Sequence, residues 1–350
     1  MHSRHSKGDL VVHVGMHKTG TTSIQQALLD RRDALLASGV YVPLAGARVG
    51  RAGHHEFARD VDSADHPGVF GRIARQLYVE VQHVDQRQVV ISSEELCRTN
   101  FSASKAAELR QLADTLNRRL VVVAFVREYV SNLNSAYVQQ IKTLSHGLDF
   151  EEYLSRERGK RRWSYSAVLR PFEQVNAKLV VKKYEGNTTL TFFDLLGMKI
   201  EGEQRRANSS IGPWTVEAYR ILIHYLRAFA KQSPKKARVQ SGHIRDTADK
   251  LGWNEDQYWG FSFEKASALH HNLSQVDEPF LDRFGIAFTP PPERVANDIS
   301  YLTMSKDDRK RFNEGIGAMV ANRREAKLLD EKRKFAHATR ITEVQSQVEA

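Results

Sequence analysis

Between residues 15 and 23 the chain reads Gly15-Met16-His17-Lys18-Thr19-Gly20-Thr21-Thr22-Ser23. Two glycines five apart let the backbone curl until successive amide hydrogens converge. Hydroxyl residues then open an apolar-periodic run, Ile24, Ala27, Leu28 and Leu35, which predicts one helix from about Thr22 to Ser38. A glycine turn feeding a helix start offers amide donors and the positive end of the helix dipole, so its natural occupant is an anion. The usual triphosphate loop has lysine directly after the second glycine and then a hydroxyl for magnesium. Here Thr21 holds the lysine position and the cation has moved ahead, to Lys18.

Other chemistry-bearing residues sit where strands should end. Four short runs, Leu10 to Val14, Gln88 to Ser92, Leu120 to Val126 and Leu179 to Lys182, are apolar almost throughout, as parallel strands covered on both faces are. Helical spacing lies between them, as in Ala106, Leu109, Leu112, Ala113 and Leu116. Alternating strand and helix predicts an α/β fold with a doubly wound parallel sheet flanked by helices, and in such sheets ligands bind beyond the carboxyl ends of the strands. After the first strand comes the glycine turn. The second runs into Ser93-Glu94-Glu95-Leu96, and the third into Arg127, with Ser135 eight residues on.

The run Lys18-Thr19-Gly20-Thr21-Thr22-Ser23-Ile24-Gln25 resembles the loop of sulfotransferases that use 3′-phosphoadenosine 5′-phosphosulfate (PAPS), especially their bacterial, carbohydrate-type branch. A single 5′-phosphate carrying sulfate needs one cation near the bridging oxygen and no metal, the task for which Lys18 is placed. The resemblance implies a P-loop NTPase-like fold with a mainly helical carboxyl-terminal part, and metal-free transfer that leaves 3′-phosphoadenosine 5′-phosphate (PAP). It also implies a 5′-phosphosulfate site on Lys18, Thr19, Gly20, Thr21, Thr22 and Ser23, with a 3′-phosphate clamp from Arg127 and Ser135. By the same resemblance the base after the second strand is Glu94, with Glu95 as fallback. A first-turn glutamate that merely stabilises the next helix is the plainer alternative. The acceptor implied is a carbohydrate or glycolipid. One family element, an arginine-lysine-glycine run toward the carboxyl end, is missing, and Arg205 to Ser210 matches it only loosely.

His54-His55-Glu56 stands in a Gly- and Arg-rich stretch, Gly46 to Gly71, that reads as a loop or broken helix over the ligand edge. His54 and His55 are therefore candidates for acceptor binding, and His55 also for the base. Adjacent histidines lack the i, i+4 spacing of a helical zinc pair, so no metal is expected. Trp253, Tyr258, Trp259, Phe261 and Phe263 read as packing. Cys97, the single cysteine, excludes an internal disulfide and reads as an inert small hydrophobe.

The net charge of +10 favours an anionic partner, although no nucleic-acid signature appears and none is expected as partner. The first nine residues lack an apolar leader and the longest apolar run is about a third of a membrane span, so a cytoplasmic protein without a transmembrane segment is expected. The chain reads as a single domain over 8–300, with its core in 10–200 and a helical elaboration in 201–300, followed by a charged helical tail in 301–350. Two other functions compete with sulfuryl transfer: a magnesium-ATP kinase, for which no strand ends in aspartate, and a non-catalytic nucleotide- or polyanion-binding module.

Overall fold

The computed structural model describes residues 6–47, 53–60, 71–200, 210–225 and 244–319. Parts of three predicted features lie outside these residues: 48–52 and 61–70 of the expected lid, the Arg205 element up to residue 209, and the tail from residue 320. Five strands form one all-parallel sheet: β1 Asp9–Val14, β2 Val40–Tyr41, β3 Gln88–Ser93, β4 Arg119–Val126 and β5 Lys178–Lys183, in the order β2-β3-β1-β4-β5. Four match the predicted runs. The fifth, β2, has two residues, too few to carry a period.

Along β1 the side chains alternate between two apolar layers. Leu10, Val12 and Val14 pack with α4 Arg72–Val81, α5 Thr99–Thr115 and α8 Tyr165–Gln174 on one face. Val11 packs on the other with α1 Thr21–Asp30, α2 Arg32–Ala37 and α9 Thr188–Leu195. Each fully buried Val or Leu in these layers contributes about 1.5–3 kcal/mol of burial free energy. The helix that follows β1 thus lies on one face and the helices that follow β3 and β5's predecessor β4 include α5 and α8 on the other. In doubly wound sheets ligands bind at such a reversal, here the carboxyl end of β1.

The predicted single helix from Thr22 to Ser38 is two, because the backbone leaves helical dihedrals at Arg31 (φ −111°, ψ 20°). Apolar spacing does not register the break, since Leu35 is still buried in the same layer.

The chain divides into two compact units. One comprises Met1–Asn132, Gly159–Ala207 and Ser267–Pro291, and the other Leu133–Arg158, Asn208–Ala266 and Pro292–Ala350. The sheet unit therefore takes in residues from 267 to 291, a return that the expected core of 10–200 does not contain. Within the second unit Tyr137, Phe150, Tyr153, Tyr258 and Phe261 pack ring against ring. Arg220 is buried there against Asp298, Glu217 and the Tyr137 hydroxyl. Tyr258, Trp259 and Phe261 are buried as expected, whereas Phe263 is 40% exposed because it begins the helix Phe263–Leu281. Among the described residues no helix is long and apolar enough to cross a membrane.

Candidate active site

The turn after β1 is held by its own hydroxyls: the side chains of Thr19 and Thr21 both donate to the Met16 carbonyl, at 2.9 and 3.3 Å. Gly15 N donates to the Ser93 carbonyl, which sets the turn against the end of β3. A Cβ on Gly15 would stand 2.4 Å from Thr21 Cγ2 and 3.1 Å from Glu94 Cα, so only glycine permits this approach. Lys18 and Gly20 both have left-handed backbones, at φ 59° and 82°. For lysine that conformation costs about 1–2 kcal/mol, a strain that the surrounding loop must maintain. Gly20 is the N-cap of α1 and provides no side-chain cap; Ser23 N–H donates to the Gly20 carbonyl at 3.0 Å, and no N-cap side chain takes up the Thr21 and Thr22 amides. Thr22 and Ser23 follow on the first turn of α1, with Thr22 exposed and Ser23 half-buried.

Arg127 closes β4 and turns back onto this loop, its Nη1 donating to the Lys18 carbonyl at 3.2 Å. Its guanidinium also lies over the Tyr184 ring, 5.2 Å from the centroid. The backbone of Arg127 is clamped at both ends by one hydroxyl: its N–H donates to Tyr165 Oη at 3.1 Å, and that hydroxyl donates to the Arg127 carbonyl. Tyr165 is anchored in turn by Asp277, which is fully buried and accepts from the Tyr165 N–H, the Ser164 hydroxyl and the Tyr129 hydroxyl. Glu128 accepts from the amides of Val130 and Ser131 and so caps α6 Tyr129–Lys142. His270 joins that carboxylate at 3.2 Å, a partner that its sequence position does not reveal. Ser135 is half-buried on α6 and belongs to the second unit, so its approach to Arg127 remains an expectation.

At the end of β3, Glu94 and Glu95 have different surroundings. Glu95 is buried and shared by two arginines, Arg59 and Arg98, the latter at 2.8 Å, which commits it to holding the short helix α3 His55–Arg59 in place. Glu94 is half-buried beside the Gly15 turn. The two histidines differ as sharply. His54 is buried with both ring nitrogens engaged, Nδ1 accepting from Ser92 N at 3.1 Å and Nε2 facing the Pro43 carbonyl at 3.0 Å. It therefore splices the stretch from 53 to 60 onto β3 and is unavailable to an acceptor. His55 is half-buried and meets the Ser93 hydroxyl through Nδ1 at 3.1 Å. Part of the expected loop or broken helix is thus the helix α3, held against the carboxyl end of β3.

His54 has a neighbour in kind. His13, in the middle of the sheet, bonds the Ser92 hydroxyl through Nδ1 at 2.8 Å, while its Nε2 has no hydrogen-bond partner among the described residues. Burial pushes the His13 imidazole down to about 3 and that of His54 down to about 4. Above the ordinary imidazole value of about 6.5 both are neutral whether the chain is folded or not, and nothing is lost. As pH falls below that, the unfolded chain binds protons that the folded one refuses, so stability should fall, by on the order of 1 kcal/mol per pH unit for each histidine. Urea midpoints measured between pH 6.5 and 5 should therefore decline, and a His13→Gln variant should show a shallower decline. A flat midpoint in the unaltered protein over that window would refute this account. Burial likewise pushes the Cys97 thiol up to about 12, in keeping with an inert side chain.

No protein-family model and no curated protein sequence matches this chain.

What the site can do follows from its own residues. The carboxyl ends of β1 and β4 bring together the start of α1, the Lys18 backbone and the Arg127 guanidinium, and the Glu94 backbone lies beside the Gly15 turn. Two open grooves of about 710 and 310 Å³ lie elsewhere, lined by Arg110, Asp114, Asn176 and, in the smaller, Arg119 and Lys178. They sit at the amino ends of β4 and β5, opposite the edge where such sheets bind ligands, and their arginines are occupied: Arg110 pairs with Asp114 and Arg119 with Asp9. Sequence reasoning missed Tyr184 and Thr188. Tyr184 directly follows β5, so the rule that function sits after strand ends could have found it. No group of His, Cys, Asp and Glu among the described residues is arranged to hold a metal.

Proposed function

We propose that the protein is a sulfotransferase, moving a sulfuryl group from PAPS to a hydroxyl or amine of a carbohydrate or glycolipid acceptor by metal-free in-line displacement. One observation carries this reading, the hydrogen bond from Arg127 Nη1 to the Lys18 carbonyl. It puts the guanidinium that closes β4 against the loop that follows β1, so a single adenosine bisphosphate can reach both. The finer assignment of the sheet to the P-loop sulfotransferase fold belongs to the same proposal, as does a reducing, cytoplasmic setting, which the single cysteine supports.

In this mechanism the acceptor oxygen attacks sulfur as the bond from sulfur to the bridging oxygen breaks. Negative charge builds on the departing 5′-phosphate, where the Lys18 ammonium and the first-turn amides of α1 stabilise it. Glu94 takes the acceptor's proton. Arg127, with Ser135 as its expected helper, holds the 3′-phosphate that distinguishes PAP from an ordinary nucleotide.

Titration calorimetry with PAP in the presence of a chelator tests the reading. PAP should bind more tightly than AMP, and Arg127→Gln should weaken PAP about 10–100-fold, the loss of a charge-assisted bond, while changing AMP little. Equal affinity for PAP and AMP would sink the proposal. Binding of ATP that requires magnesium would favour the kinase instead.

A further inference from the structure

We infer that the amino terminus of α9 is a second jaw of the phosphate site, with the Thr188 hydroxyl and the first-turn amides of α9 taking an oxygen of the 5′-phosphate opposite the amides of α1. The inference rests on the reading that a nucleotide occupies the Gly15–Gly20 loop. It adds a residue and an element that neither the loop motif nor the strand-end rule supplies.

Three observations converge. First, the two helix starts meet: Thr188 Oγ1 lies 2.2 Å from where a Cβ on Gly20 would stand, so the N-cap of α1 must be glycine for Thr188 to approach it. Tyr184, the residue under the Arg127 guanidinium, is the other side chain near that point, at 3.9 Å. Second, neither helix caps itself. Gly20 has no side chain, and Asn187, the N-cap of α9, makes no capping hydrogen bond, so no N-cap side chain takes up the first amides of either helix, those of Thr21 and Thr22 in α1, where Ser23 N–H donates to the Gly20 carbonyl, and those of Thr188 and Thr189 in α9. Third, the first turn of α9 carries two hydroxyl residues in buried positions. Thr188 is 4% exposed and Thr189 1%, and Thr189 Oγ1 is sealed from solvent with no hydrogen-bond partner among the described residues.

Buried hydroxyls are normally bonded, because removing one from water without compensation is unfavourable. An unpaired hydroxyl on Thr189, next to Thr188 at an uncapped helix start that meets a glycine turn without a side-chain cap, leaves donors here in want of an acceptor. Two helix amino termini that meet at Gly20 favour an oxyanion with more than one charge. A phosphate group meets both requirements, and since Gly20 opens the helix assigned to the 5′-phosphate, that is the phosphate it would be.

Thr188→Val tests this, because valine keeps the shape and β-branching and removes only the hydroxyl. Calorimetric titrations with AMP, adenosine 3′-phosphate and PAP would be compared between variant and unaltered protein. Dissociation constants for AMP and PAP should rise about tenfold, that for adenosine 3′-phosphate should not change, and the melting temperature without ligand should stay level or rise. Thr188→Ser, which keeps the hydroxyl, should retain affinity for all three. Unchanged AMP and PAP affinity in the valine variant would overturn the inference, as would an equal loss for adenosine 3′-phosphate. Should the valine variant not fold, Thr188→Ala carries the same comparison. If the unaltered protein binds AMP as well as PAP, the sulfotransferase reading fails while the Thr188 comparison on AMP still decides this one. If it binds none of the three, both fail.

Discussion

Replacing Lys18 with glycine is expected to leave the protein at least as stable and to slow sulfuryl transfer about 10²–10³-fold, the usual cost of removing one fixed donor from a developing oxyanion. Glycine is the informative substitution because Lys18 has a left-handed backbone at φ 59°. Alanine would lose the amine and keep the strain, so a loss of activity could be blamed on either. Glycine removes the amine and relieves the strain, and separates the two. The carbonyl that accepts from Arg127 is unchanged. The measurements are the melting temperature, PAP affinity and label transfer from PAPS to a panel of glycans. Retention of more than a third of the turnover would show that the cation is not at the leaving group.

Glu94→Gln should reduce transfer about 10²–10⁴-fold, the range for losing a positioned base, while PAP affinity stays within about twofold. Glutamine preserves size and hydrogen bonding and cannot take the proton. The neighbouring Glu95→Gln supplies the contrast. Glu95 is buried between Arg59 and Arg98, so its neutralisation should lower the melting temperature by loosening α3. If Glu94→Gln is inert and His55→Gln inactivates, the base is the histidine that meets Ser93.

How far these residues could be found without coordinates depends on how local their signal is. The glycine turn, Lys18 and the four longer strands are legible because each is a contiguous pattern with a known period or spacing. Arg127 was legible as a strand-end cation. Its fixing was not, because that rests on Tyr165 and on Asp277, which lies 112 residues beyond Tyr165 and announces nothing by its neighbours. The distinction between His54 and His55 was equally hidden. Adjacent residues at the start of α3 differ in burial, and only the bonds to Ser92 and Pro43 show that both ring nitrogens of His54 are engaged. The difference between Glu94 and Glu95 arises in the same manner, from arginines on two separate elements. Thr188 gave no signal at all, since an Asn-Thr-Thr helix start is common and becomes informative only once it is seen against Gly20.

Dependence on Asp277 also fixes when the protein can become competent during its synthesis. Every strand of the sheet, the glycine turn and Arg127 itself leave the ribosome before the carboxylate that secures Tyr165 has been translated. A nascent chain can therefore assemble its sheet early, but the cation at the end of β4 acquires its full support only when the later segment folds back.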